Sequence, residues 1–285
     1  MAKTQDLRRR IRSIRNTMQL TRAMKLVSAS KLRRAQERIL RSRPYARKIV
    51  EVLSSVAART GADGHPLFDE RGTQRVWVVV LTGDKGLCGS FNASIIRRAL
   101  HVAGEHAAAQ VGFVTVGKRG RDYLRRFGHR IEREWADVFR AVDFPLAAGI
   151  SQELIEAYAA QRVDRIYLVY NEFKSAIQAR PTVQQLLPVE PLAVPQNEVG
   201  EEYLYEPGAR ELLDSLLPHY VEQSVFQALL ESVAAEHAAR MTAMDSATKN
   251  AGELIDSLTL TMNRVRQASI TTEIIEVVSG AESAG

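Results

Sequence analysis

Helix breakers are almost missing from the first sixty residues. No glycine lies between positions 4 and 59, and Pro44 is the only proline there. Acidic side chains are scarce in the same stretch, with 17 Lys/Arg against 3 Asp/Glu over residues 1–60. The whole chain has one cysteine, Cys88. That excludes an intrachain disulfide and a cysteine-rich metal site. No apolar run reaches the roughly 20 residues that a membrane-spanning helix needs. The basic start is not followed by an apolar segment of the secretory type, so it reads as mature sequence that runs straight into a patterned helix.

The pattern in that helix is regular. Leu7, Ile11, Ile14, Met18, Thr21, Lys25, Ser28, Leu32, Ala35, Ile39, Ser42, Ala46, Ile49, Leu53 and Val56 follow one alternating spacing of four and three. Such spacing is a coiled-coil seam. Its two ends are apolar, and Thr21, Lys25 and Ser28 interrupt the middle. Pro44 is placed to kink or split the helix. Residues 219–279 mirror this, with Gly252 as their sole glycine and an apolar seam through Phe226, Leu230, Val233, Met244, Ala251, Leu254, Leu258 and Val265. Residues 219–285 carry 4 Lys/Arg against 9 Asp/Glu, so the two chain ends are opposite in charge. A helix of that size is about 80–90 Å long at 1.5 Å per residue. A compact globule of this chain length has a radius of gyration near 19 Å, roughly. The expectation is an antiparallel pair of terminal helices projecting from a compact middle.

That middle has a different grammar. "VWVVVLT" (Val76–Thr82), "VGFVTV" (Val111–Val116) and "RIYLVY" (Arg165–Tyr170) read as buried strands. Helical patterns alternate with them at about Asn92–Ala103, Lys118–Phe127 and Gln152–Gln161, with Ser151 as the N-cap of the last. Strands alternating with helices predict a mostly parallel sheet, and "RPTVQQLLPV" adds an antiparallel strand. The fold class is therefore α/β: a central Rossmann-like domain plus a long coiled coil of the N- and C-terminal helices. The expected divisions are residues 1–60 for the first helix and 73–190 for the α/β domain. Residues 191–218 form a connecting segment and 219–285 the second helix.

The motifs give little chemistry. "GDKGLCGSFN" (Gly83–Asn92) follows the first strand and opens a helix, where a phosphate loop would sit. Its spacing matches neither Walker A nor G-x-G-x-x-G, and the second strand ends in "TVGKRG" without the acidic residue that would hold a ribose. The plain reading is a glycine-rich turn with Cys88 as a small buried hydrophobe. The six histidines are scattered, His101 and His106 are not spaced to share a face, and His237 falls in the second seam as a packing residue. No Ser/His/Asp set stands out. "RRRIRSIR" (Arg8–Arg15) could meet nucleic-acid phosphates, yet apolar seam positions thread through it and the basic character persists to Lys48. On residues alone, three readings remain open: an interaction subunit, a basic helical nucleic-acid binder and a Rossmann-like nucleotide-binding enzyme.

Three stretches together decide among them by resemblance. "MKLVSASKLRRAQ" with "SRPYA", "GDKGLCGSFN", and "NRVRQASITTEIIEVVSG" preceded by "AARMTAMDSAT" resemble the gamma subunit family of F-type ATP synthases, from about Lys3 to Gly280. The resemblance implies a central-stalk rotor that is not catalytic by itself and holds no cofactor and no metal. Its implied partners are the alpha and beta subunits of the catalytic hexamer, the epsilon subunit and the c-subunit ring. Nucleic acid is not among them, and the membrane is met only through partners. The coupling ion would be a proton or sodium. The resemblance places Met24, Lys25, Arg33, Arg34, Arg240, Arg266, Gln267 and Thr271 at hexamer contacts, and Tyr203, Tyr205 and Glu206 facing the c ring. It implies a peripheral complex on the cytoplasmic face of a bacterial inner membrane rather than an organelle membrane. Lys25 stands where some relatives have an acidic residue. The inserted cysteine pair of plant-chloroplast relatives is missing, so their redox control is not expected. On this view the small polar residues of the first seam let a shaft slip past its neighbours, where a continuous apolar outer face would stick.

Overall fold

The computed structural model describes residues 2–60, 65–175, 178–190 and 208–282. The chain order is α1 (Ala2–Thr60), β1 (Arg75–Leu81), α2 (Phe91–Glu105), β2 (Gln110–Val116), α3 (Lys118–Arg126), β3 (Ile131–Trp135), α4 (Phe144–Ala159), β4 (Arg165–Phe173), β5 (Ala179–Leu187) and α5 (Ala209–Glu282). Two compact units emerge. One joins α1 as far as Ser28 to α5 from Arg240 onward; the other spans Ala29–Ala239.

In the larger unit the five strands lie in the order β3-β2-β1-β4-β5. β1 pairs in parallel with β2 and β4, β2 pairs in parallel with β3, and β5 closes the edge antiparallel to β4. The sequence explains the centre. β1 reads RVWVVVL and is buried at every position after Arg75, as expected for a strand covered on both faces. Val76, Val78 and Val80 pack with Ile95, Ala99 and Val102 of α2, with Phe113, Leu124 and Val169 completing the cluster.

One strand was not anticipated from the sequence, and two local expectations need correction. β3, IEREW, is an edge strand without a fully buried residue, so it has no apolar run to betray it. Ser151 does not cap α4. The helix starts earlier, at Phe144, with Asp143 as N-cap accepting a 3.0 Å hydrogen bond from the Leu146 amide and a proline in the first turn. Ser151 is buried inside that helix. α5 begins at Ala209, so Pro218 lies within it. Pro44 likewise sits inside α1 without splitting it. Each proline removes one helical N–H donor, and the neighbouring turns hold the helix together.

The first seam is visible throughout. Of its fifteen positions, Ile11, Thr21, Ser28, Leu32, Ala35, Ile39, Ile49, Leu53 and Val56 are buried, and the other six are half-buried. In the larger unit, Ser42 Oγ donates to Gln227 Oε1 at 3.1 Å and Arg38 donates to the Val142 carbonyl. Phe144 and Phe226 meet edge to face at 5.6 Å. The second seam is off by one at one point: Leu254 is exposed and Ile255 takes the buried place. Over that many turns 3.6 residues per turn drifts from a strict 3.5 repeat.

Candidate functional site

The polar interruption of α1 faces its partner helix. In the smaller unit Thr21 and Ser28 are buried, and Thr21 Oγ1 lies 2.8 Å from Thr248 Oγ1 on α5. Lys25 Nζ donates to Asp245 Oδ1 at 2.6 Å, and Lys249 Nζ approaches the other carboxylate oxygen at 3.3 Å. Hydrogen bonds from Lys25 and then Lys249 hold the Asp245 carboxyl below the usual aspartate range. Ser28 Oγ returns to the Met24 carbonyl at 2.8 Å.

This overturns the expected use of those residues. They do not line an outer sliding face. They fill the helix–helix seam, where a polar residue specifies register at some cost in stability. Sliding α1 by one turn would strand Lys25 and Asp245 without each other. The outer face carries apolar side chains instead: Leu20, Leu26 and Val27 are all more than half exposed, at 61%, 65% and 55%.

The antiparallel register has a further result. Residue 21 stands beside 248 and residue 25 beside 245, so α1 runs out near residue 267 of its partner. Past that level α5 has no partner helix among the described residues. Every residue from Thr271 to Ser279 is exposed, including Ile274, Ile275, Val277 and Val278.

The sequence-derived contact residues fall at several levels. Met24 and Lys25 are half-buried beside Asp245, and Arg240 is half-buried just over one turn earlier on α5. Arg266 and Gln267 are exposed about 30 Å farther along the axis, at 1.5 Å rise per residue. Thr271 Oγ1 donates to the Gln267 carbonyl at 2.9 Å, so these two share a face. Arg33 and Arg34 are exposed in the larger unit, Arg33 lying 3.4 Å from Glu37. Tyr203, Tyr205 and Glu206 lie outside the described residues. Asp245 and Thr248 escaped the sequence reading. Both sit in the quoted "AARMTAMDSAT", and the spacing of Asp245 to Lys249 was the available signal.

The strand-end loop answers the nucleotide question. Doubly wound sheets bind ligands in the crevice at the carboxyl ends of the strands, where the strand order reverses; here that point lies between β1 and β4. Gly83 N, just past β1, donates to Asn92 Oδ1 at 2.9 Å, and a Cβ on Gly83 would lie 2.6 Å from Glu236 Oε1 of α5. Asn171 of β4 donates to the Phe91 carbonyl at 3.4 Å. The start of α3 is taken as well: Asp84 Oδ1 accepts from the amides of Lys118 and Asp137, at 3.0 and 2.9 Å, and Oδ2 from that of Phe139 at 3.2 Å. The chain's own carboxylate occupies the donors a phosphate would use, and Cys88 is buried in the turn.

Comparison with known proteins agrees with this arrangement. The family pattern described as ATP synthase matches residues 3–284. The chain is 48% identical over 285 residues to the ATP synthase gamma chain of Geobacter sp. (strain M21), covering 99% of each. It is 47% identical to the ATP synthase gamma chain of Pelotomaculum thermopropionicum, again over 99% of each. Among solved structures it is similar to a chain of the central stalk and c ring of Tetrahymena thermophila mitochondrial ATP synthase. That match has 30% identity and a TM-score of 0.62, over 80% of this chain and 99% of that one. A chain of the Euglena gracilis mitochondrial ATP synthase rotor shares the fold at 19% identity and a TM-score of 0.68, over 94% of this chain and 99% of that one.

Proposed function

The chain belongs to the ATP synthase gamma-chain family, and from that premise we propose how it works as the rotor of the central stalk. It is the non-catalytic, turning subunit of an F-type ATP synthase. Rotation of the c ring, driven by ion flow, enters through the segment holding Tyr203, Tyr205 and Glu206. The α/β domain carries it, braced by the epsilon subunit. The paired helices α1 and α5 deliver it to the alpha and beta subunits, whose catalytic sites are driven in turn through different conformations.

The observation that carries this reading is the hydrogen-bonded polar step inside the seam, Thr21–Thr248 and Lys25–Asp245, in a chain that matches gamma chains along its whole length. An axle transmits torque only if its two strands do not slide past each other. Apolar seams tolerate slippage; a partly buried hydroxyl pair and an ion pair fix the register. The contacts with the hexamer must instead be releasable. Met24, Arg33, Arg34, Arg240, Arg266, Gln267 and Thr271 supply them, and exposed ion pairs worth about 0–1 kcal/mol each can form and break at every step. The exposed isoleucines and valines at the end of α5 suit an apolar sleeve in the hexamer.

Among the described residues no helix is long and apolar enough to cross a membrane. The chain is part of a membrane-associated complex and reaches the bilayer through the c ring, on the cytoplasmic face of a bacterial inner membrane. Co-expression with the alpha and beta subunits tests the reading. The three should purify together and hydrolyse ATP, while the chain alone does not. Hydrolysis at enzyme-like rates by the isolated chain, or failure to co-purify, overturns it.

A further inference from the structure

At the amino-terminal end of the sheet, opposite the strand-end loop, lies a cavity of about 340 Å³ lined by Arg75, Trp77, Gln110, Arg130, Glu132, Arg133 and Arg162. Four arginines from three stretches of chain, around the starts of β1, β3 and β4, face one carboxylate there. Register places Arg75 beside Gln110 and Trp77 beside Gly112. Gly112 leaves room for the Glu132 side chain that lines the cavity: a Cβ there would lie 2.6 Å from Glu132 Cγ.

The arginines differ in how they are held. Arg75 is fixed from behind by the buried Asp164, with Nη2 2.6 Å from Oδ1 and Nε 3.3 Å from Oδ2. Burial pushes that carboxyl up, but the side-chain and backbone hydrogen bonds from Arg75 outweigh burial and keep it below the ordinary aspartate range. Arg75 is thereby positioned in advance. Arg130 pairs with Glu132 at 2.5 Å and Arg133 with Glu153 at 3.2 Å. Both pairs are partly exposed, and such pairs exchange readily. Arg162 has no carboxylate within ion-pair distance among the described residues.

We propose that this cavity binds an oligophosphate, free or as the phosphate tail of a nucleotide, through Arg162, Arg130, Arg133 and the preset Arg75. Guanidinium groups match phosphate oxygens two at a time, and the volume lies in the range of small-ligand sites rather than of a single ion. Incoming phosphate oxygens displace Glu132 and Glu153 from their arginines. None of its lining residues belongs to the loop at Gly83–Asn92 or to α1 or α5.

The test uses the full-length chain carrying Trp135→Phe, which leaves Trp77 as its only tryptophan. Its emission is followed during titration with pyrophosphate and, in a second arm, with ADP, both without divalent metal. Saturable change at or below about 1 mM is expected, and Arg162→Ala should weaken it about tenfold by removing charge-assisted hydrogen bonds. Arg162→Lys should recover part of the loss, with circular dichroism confirming that each variant is folded. Equal affinity in the two arms assigns the site to the phosphates alone, and tighter ADP binding to a nucleotide; either supports the proposal. No saturation up to about 10 mM, or binding unchanged in Arg162→Ala, overturns it.

Discussion

The ammonium of Lys25 sits 2.6 Å from a carboxylate oxygen of Asp245, a residue 220 positions later in the chain. The pair ties the first helix to the last. It stands beside the 2.8 Å approach of Thr21 and Thr248, so two polar contacts set the register within one helical turn.

Asp245→Asn should lower the melting temperature of the helical pair at neutral pH. The Asp245 carboxyl is held below its usual range, first by Lys25 and then by Lys249. A depressed folded-state pKa gives stability that is present above the unfolded value and lost as pH falls through the folded one. The gap between wild type and variant should therefore close in acid, below the ordinary aspartate range. It should also narrow with added salt, because the pair is partly exposed. Thermal melts by circular dichroism across pH check this; a gap that widens in acid contradicts it.

Glu231→Gln should act with the opposite sign. Burial pushes the Glu231 carboxyl up, against the hydrogen bond from Gln227, and Glu172 adds repulsion. In the window between the unfolded and folded pKa values the native state holds the extra proton, so stability falls as pH rises through it. The amide keeps the 2.7 Å bond from Gln227 Nε2 and has no charge to desolvate. Differential scanning calorimetry should show a melting temperature a few degrees above wild type at neutral pH, with the benefit shrinking as pH drops toward the normal glutamate range.

Gly117→Ala should cost at least about 2 kcal/mol. Gly117 has φ +102°, and a Cβ there would fall 1.9 Å from the Thr82 carbonyl oxygen. Gly128→Ala is the matched control, because its φ is also positive, at +72°, but nothing lies within 4 Å. It should lose only about 1 kcal/mol, the backbone cost alone. Urea denaturation of both variants separates collision from conformation.

Arg266→Ala and Gln267→Ala should leave the unfolding free energy of the free chain, from urea denaturation, within about 0.5 kcal/mol of wild type, since both residues are exposed. In the assembled complex each should slow ATP turnover about two- to fivefold, the range of one exposed polar contact. Loss of assembly in place of slower turnover would make these positions structural.

The helical seam was legible because its signal is strict and long. Fifteen positions from Leu7 to Val56 keep one spacing, and each is buried or half-buried. The central strands were legible because parallel strands covered on both faces read as apolar runs. β3 was not, since IEREW alternates charge at the sheet's edge. The start of α4 was misread because Ser151 resembles a cap, while Asp143 followed by a proline in the first turn is the stronger one. The partners of Thr21 and Lys25 were hidden for another reason. A helix's own spacing says which residues share a face. It does not say which residue 220 positions away will meet them, and without Asp245 a lysine in a seam reads as a defect.

The filled crevice at the end of β1 has a mechanical consequence. In sheets of this topology the gap past the central strand is where a ligand comes and goes, so it has to remain loose. Here Glu236 of the long helix sits against bare Gly83, and Asp84 ties three amides of the following loops. What chemistry would have left open has become a mortise, and the sheet grips the helix with the place it would otherwise have kept for a guest.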